Sequence, residues 1–506
     1  MSVFLEALAN SFTPEILIWI VLGFLLGSFV GAVPGIGPEL GILLVLPFTL
    51  GMEPHTALVF LVAIYTGGEY GGSIPAILLN TPGTASAAAV TIDGYAMSRQ
   101  GKGVTALSIS GTASALGNII GGGIVLAALP LMALVVLLFG TPEYFMMAML
   151  GLCTIAMVSS GGLLKGLMIA ALGGLLATVG SNALIVDRRF TMGFIELNEG
   201  IALVPAFVGL FAIAEMVKIS IKGGVVDKAE DGSGVASTPG RLEGFLYTLR
   251  RWPQVIKSSV LGFLIGVMPG QGGTVANYMA YMEAKASSKT PEKFGKGAWD
   301  GVLAPEAANN AVIPGSLVPT LTFGIPGSAS SAVLLGGLLM HGMRPGATMF
   351  DQNLDVTYSI FLSIVISAVF IIAIGTGLAN HIGKVPNIPV GILVPLIIAV
   401  SLIGTYSVEQ NYFHVFQALL FGGVGLALFR FGFPIIPFIL GFILGPIAEL
   451  NLSRSMLISS GNPMIFLERP LSLVLVLLSV FVLALPFIKS LKERRRERLR
   501  VKSEQM

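Results

Sequence analysis

The segment Thr81-Pro82-Gly83-Thr84-Ala85-Ser86 returns in altered form as Ile325-Pro326-Gly327-Ser328-Ala329-Ser330, at an offset of 244 residues. Each copy lies in a long apolar stretch, where proline, glycine and hydroxyl side chains interrupt what would otherwise be a membrane helix. Proline removes a backbone donor and turns the preceding residue away from helix, and glycine admits unusual dihedrals. A helix restarting after such a break directs free N–H groups and its positive dipole end at the break, which makes an anion site. Thr84, Ser86, Ser328 and Ser330 are then expected in the first turn, adding hydroxyl donors beside those amides. Asn80 and Thr81 offer oxygens to a sodium ion on the other flank. The candidate substrate-binding residues are therefore Asn80, Thr81, Pro82, Gly83, Thr84, Ser86, Gly324, Pro326, Gly327, Ser328 and Ser330, suited to a small carboxylate carried with a cation. The plainer alternative is that Pro-Gly only kinks packed helices. Two copies in register, with Pro75 and Pro319 at the same offset, weigh against it.

A second pair accompanies the first: Gly27-Ser-Phe-Val-Gly31-Ala-Val-Pro34-Gly35-Ile-Gly37 and Gly262-Phe-Leu-Ile-Gly266-Val-Met-Pro269-Gly270-Gln-Gly272, offset by 235 residues. Small residues four apart favour close helix packing. The following Pro-Gly-x-Gly ends the helix and bares carbonyls that can coordinate a cation, so packing and ion binding both stay open. Gln271, Thr274 and Asn277 add polar atoms in the second copy, and Glu39 follows the first. Charge at membrane depth is costly and points to function, although most of Glu69, Asp93, Glu143, Lys165, Glu215 and Glu306 abut Gly- or Pro-rich boundaries and are expected at an interface. Glu306, with Asn309 and Asn310, precedes the second break much as Glu69 precedes the first. The ion-coupling candidates are Gly35, Gly37, Glu69, Gly270, Gly272, Thr274, Asn277, Glu306 and Asn310.

These residues need helices to hold them. Only 11% of the 506 residues are charged and mean hydropathy is +0.87, against about 25% charged in soluble domains. Many windows reach the ~20 apolar residues that cross a bilayer. The expected fold is an all-α polytopic membrane protein, with about 11–13 membrane segments in two pseudo-symmetric, inverted halves. Each half carries a Pro-Gly-tipped re-entrant hairpin, over Ser73–Asp93 and Leu317–Ser331. The expected division is 1–217 and 258–465 as the two repeats, 218–257 as a polar basic linker, 466–489 as an extra helix and 490–506 as a basic tail. Eight Lys or Arg between Lys489 and Lys502 place the C-terminus in the cytoplasm by the positive-inside rule, with the protein in a bacterial inner membrane.

Several chemistries are excluded. Cys153 is the single cysteine, so neither an internal disulfide nor a cysteine-rich metal site exists. His55, His341, His381 and His414 lack ligand spacing, no metal or cofactor is expected beyond a coupling Na+ or H+, and nothing suggests nucleic acid. No phosphate-binding loop is present, so the chain alone does not transport at the expense of ATP. An intramembrane enzyme would need paired Asp or His–Glu at helical spacing, which is missing.

Gly31-Ala-Val-Pro-Gly-Ile-Gly-Pro38, Leu78-Leu-Asn-Thr-Pro-Gly-Thr-Ala-Ser86, Asp93-Gly-Tyr95 and Gly324-Ile-Pro-Gly-Ser-Ala-Ser330 with Leu335–Gly346 resemble the large membrane subunit of tripartite tricarboxylate transporters (TctA type) over about residues 15–465. The resemblance implies a small membrane subunit and a periplasmic solute-binding protein as partners. It also implies uptake of carboxylates such as citrate by symport driven by an ion gradient, commonly sodium. A binding-protein-independent channel or exporter of similar architecture is the rival.

Overall fold

The computed structural model describes residues 2–158, 162–181, 188–221, 240–270, 272–374 and 390–485. The centre of the expected linker (222–239), the tail 490–506, Gln271 and His381 lie outside the described residues.

The chain is a succession of helices, because apolar backbone in lipid must satisfy its own hydrogen bonds. In order they are α1 (Ser2–Ser11), α2 (Pro14–Gly31), α3 (Pro38–Val45), α4 (Pro54–Leu79), α5 (Ala88–Arg99), α6 (Gly103–Val136), α7 (Thr141–Val158) and α8 (Leu163–Leu176). Two-residue strands β1 (Gly180–Ser181) and β2 (Arg188–Arg189) then pair antiparallel, a small departure from the all-α expectation. There follow α9 (Leu203–Phe207), α10 (Ala214–Ile221), α11 (Gly240–Arg250), α12 (Trp252–Val267), α13 (Gly272–Ser287), α14 (Asp300–Phe323), α15 (Ala329–Met340), α16 (Ala347–Asp351) and α17 (Leu354–Ala373). The last are α18 (Val390–Glu409), α19 (Tyr412–Arg430), α20 (Ile435–Ile458), α21 (Ile465–Glu468) and α22 (Pro470–Leu485). Eight helices among the described residues are long and apolar enough to cross a membrane: α2, α4, α6, the run Leu203–Ile221, α17, α18, α19 and α20. Shorter apolar helices lie between and after them. Pro14, Pro38 and Pro54 open α2, α3 and α4, where a missing N–H costs nothing.

Two compact units form: Met1–Val136 with Ala202–Ala427, and Leu137–Ile201 with Leu428–Met506. The second unit is fastened by ion pairs. Arg189 grips Glu449 with two bonds of 2.7 and 3.0 Å. Buried Glu143 accepts from Arg469 at 2.6 Å and from the Gly140 amide at 2.9 Å.

In the first unit, α2 lies along α4 and α12 along α14 by the same device. A side chain on Gly27 or Gly31 would strike the carbonyls of Ile64 or Gly68, and one on Gly262 or Gly266 those of Ala308 or Val312. Backbones touch where small residues permit it. The arm before each break is not short, as expected, but a continuous helix of 26 residues (α4) or 24 residues (α14). Pro75, Pro305, Pro314 and Pro319 are absorbed within them, since neighbours packed on both sides hold a helix that has lost single bonds. Only the arms after the breaks, α5 and α15, are short, at 12 residues each.

Asp93, Glu143 and Glu306 are buried within the protein, at 0%, 1% and 1% exposed, and each has found donors. Asp93 on α5 receives the amides of Gly295, Gly297 and Ala298 at 2.7–2.9 Å and the Tyr281 hydroxyl at 3.0 Å. It thereby stitches α5 to the loop ahead of α14. Asp93→Ala removes the shared acceptor of three part-buried amides and is expected to cost about 3 kcal/mol, whereas Asp93→Asn keeps an acceptor and costs about 1 kcal/mol. Thermal unfolding of the detergent-purified variants checks this order; an Ala variant as stable as the parent would refute it.

Candidate functional site

The first break runs from Asn80 to Ala87. Asn80 closes α4 in the left-handed conformation at φ 57°, and the Thr81 amide reaches back to the Pro75 carbonyl at 3.4 Å. The Gly83 amide donates to the Gly72 carbonyl at 3.0 Å, and the Gly83 carbonyl accepts from Gly35 at 3.2 Å. The Pro34-Gly35 turn after α2 is therefore bonded to the first tip. A Cβ on Gly83 would overlap the Gly31 carbonyl and stand 2.7 Å from Gly72 Cα. Beyond the tip, Ser86 Oγ donates to Glu69 Oε2 at 2.5 Å and lies 2.9 Å from Thr84 Oγ1. A carboxylate only accepts, so the Ser86 hydrogen is committed to Glu69 and Thr84 donates to Ser86.

The second break follows Gly324, which closes α14 at φ 71°, and the Ile325 amide reaches back to Pro319 at 3.2 Å. A Cβ on Gly327, which follows Pro326, would come within 2.6 Å of the Gly266 carbonyl and 2.8 Å of Ser316 Cβ. Ser328 caps α15 reciprocally with Ser331, so two of the amides expected to be free are already satisfied. Tyr65 OH lies 2.8 Å from Ser328 Oγ and 3.3 Å from Ser316 Oγ. Ser330 Oγ donates to Glu39 Oε2 at 3.0 Å. Thr84 and Ser86 precede α5 instead of occupying its first turn, since the helix begins at Ala88 behind Ala87, whose methyl group offers no cap. Ser328 is an N-cap, and only Ser330 sits in a first turn.

The ion-coupling candidates divide in two. Glu69, Asn277 and Gly35 meet the first tip, Asn277 through Nδ2 to the Ser86 carbonyl at 2.6 Å. Glu306 and Asn310, four residues apart on α14, face α6 instead, where Ser114 donates to Glu306 at 2.7 Å and Asn310 to Asn118 at 3.2 Å. Gly37 precedes α3, while Gly270 and Gly272, with φ of 76° and 63°, lead into α13, whose first turn holds Thr274. Sequence reasoning missed Tyr65, and it noted Glu39 and Asn309 beside the motifs without counting them among the candidates. The offset of 235 that pairs the glycine turns sets Glu39 against Thr274, and the offset of 244 sets Tyr65 against Asn309, which is the signal that could have found them.

Both tips carry carboxylates, and the chain supplies no Lys or Arg from Met1 to Ser98 or from Gly297 to Met343. Glu39 and Glu69 stay partly accessible, unlike Glu306.

Apolar helices interrupted by polar, glycine-packed breaks define a multi-pass membrane protein. The family model of the tripartite tricarboxylate transporter TctA family matches residues 17–440; the chain belongs to this family of transporter large membrane subunits. It is 37% identical, over 96% of both chains, to an uncharacterized 52.8 kDa protein in the TAR-I ttuC' 3' region of Agrobacterium vitis. It is also 34% identical, over 46% of this chain and 97% of the relative, to an uncharacterized protein in the TAR-II ttuC' 3' region of the same organism. No solved structure matches.

The glycine contacts give a graded expectation. Gly31→Val must push α4 away and is expected to cost about 3 kcal/mol. Gly123→Val, in α6 with nothing within 4 Å, should cost under about 1 kcal/mol. Unfolding midpoints of the purified variants test this, and equal losses would refute the packing role of Gly31.

Proposed function

We propose that the chain is the permease of a binding-protein-dependent secondary transporter that imports tricarboxylates or related carboxylates with a cation, sodium first among the candidates. Its partners are a small membrane subunit and a periplasmic solute-binding protein, and its place is the bacterial inner membrane with the C-terminus in the cytoplasm. The observation that carries this reading is the pair of tips, each with hydroxyl donors and a partly accessible carboxylate and neither with a basic neighbour in its own stretch of chain. An entering carboxylate finds O–H donors there but no positive side chain from either tip's own stretch of chain, so a cation is expected to accompany it. The broken backbone supports this as well, since transporters hold substrate and ion at interrupted helices related by internal repeats.

The repeat itself is supported by matching contacts. Gly83 meets Gly31 and Gly72, while Gly327 meets Gly266 and Ser316. Their positions differ by the same 235 and 244 residues as the sequence motifs. Alternating access then moves the tip-bearing helices against flanking ones.

Uptake of labelled citrate into proteoliposomes holding this chain and the small subunit tests the proposal. The expected outcome is uptake only with the binding protein and an inward sodium gradient. Gly83→Val and Gly327→Val should each lower uptake at least about a hundredfold with membrane insertion intact. Parental uptake in both would overturn the assignment of the tips, and uptake without the binding protein would favour a channel or exporter.

A further inference from the structure

Around the first tip, two buried amide side chains are oriented by what they touch. Asn277, 2% exposed, donates Nδ2 to the Ser86 carbonyl, and Asn309, 2% exposed, donates Nδ2 to the Glu69 carbonyl at 3.5 Å. Carbonyl oxygens only accept, so each amide nitrogen must face its partner and each Oδ1 must point the other way. Both Oδ1 atoms are buried and neither has a hydrogen-bond partner. A Cβ built on Gly273 would lie 3.0 Å from Asn309 Oδ1 and 2.9 Å from Ser86 Cβ, so the Asn309 oxygen and the tip line the same small space. Unpaired buried acceptors are expensive. Asn277 holds the backbone carbonyl of Ser86 and Asn309 that of Glu69, the two residues whose side chains meet in the Ser86 Oγ–Glu69 Oε2 bond.

We propose that the first tip holds an alkali-cation site formed by the Glu69 carboxylate with Asn277 Oδ1 and Asn309 Oδ1, and that filling it releases the Ser86 hydroxyl to the substrate. Hard oxygens with a single negative charge suit a sodium-sized monovalent ion rather than a transition metal, which prefers nitrogen or sulfur. Among the described residues no group of three His, Cys, Asp or Glu converges. A cation on Glu69 lowers the charge that holds the Ser86 hydrogen, so the hydroxyl can turn to an incoming carboxylate. The charge balances, one cation entering against one substrate charge. The second tip lacks this equipment, because Tyr65 stands where the offset of 244 sets Asn309 and supplies a hydroxyl to Ser328. The tips thus divide the work, and the cation binds before the substrate.

The inference rests on the tips being the transport site, but its test needs no substrate. Thermal unfolding of the detergent-purified protein is followed as sodium chloride replaces choline chloride, with lithium chloride as a second arm. The parent should gain stability with sodium. Glu69→Gln and Asn309→Ala should raise the half-saturating sodium at least about tenfold, Asn309→Asp should retain the response, and Ser330→Ala at the second tip should respond as the parent does. A parent indifferent to both cations, parental half-saturation in Glu69→Gln and Asn309→Ala, or an equal loss in Ser330→Ala would each overturn the site. A protein that keeps its sodium response yet takes up no carboxylate would sink the transport reading and leave the cation site standing.

Discussion

The contact between a glycine and the carbonyl of a neighbouring helix sets the rest of the first unit. Apolar side chains gain little by leaving lipid for one another, so helices in a bilayer are held by close packing and polar contacts. Gly27 and Gly31 let α2 lie directly on α4, and Gly262 and Gly266 do the same for α12 on α14. The carbonyls of Gly31 and Gly266 are also the surfaces on which Gly83 and Gly327 rest. One narrow seam therefore fixes both the helix pair and the helix break beside it. A methyl group anywhere along it would move a tip.

Much of this was legible in the sequence because backbone requirements leave durable marks. Pro-Gly announces a break, glycines four apart announce a close crossing, and a constant offset announces that both recur together. The length of the arm before each break was not legible. A proline within a helix costs a backbone bond, yet packing on either side carries α4 and α14 through Pro75 and Pro319. Side-chain partners were equally hidden, since Ser330 and Glu39 lie 291 residues apart and no local pattern relates them. The donors to the buried acids were hidden likewise, because those of Asp93 and Glu306 arrive from distant segments.

The fold accommodates its buried acids in different ways. Asp93 is surrounded by amides and a phenol and ties α5 to the loop before α14. Glu306 meets the Ser114 hydroxyl, and Asn310 one turn later meets Asn118, so that face of α14 is zipped to α6 by polar pairs. In the second unit, Glu143 and Glu449 have arginines as partners. Among the described residues, Glu39 and Glu69 alone combine partial access with a hydroxyl partner at a break, which sets them apart from acids that hold helices together.

The fastening of each tip is reciprocal. Asn277 of α13, from the later part of the chain, holds the Ser86 carbonyl of the first break, and Glu39 of α3, from the earlier part, holds Ser330 of the second. Each break is thus pinned in part from the other end of the sequence, so a displacement of α13 or of α3 loosens a bolt seated in a segment that the chain lays down far from the break it secures.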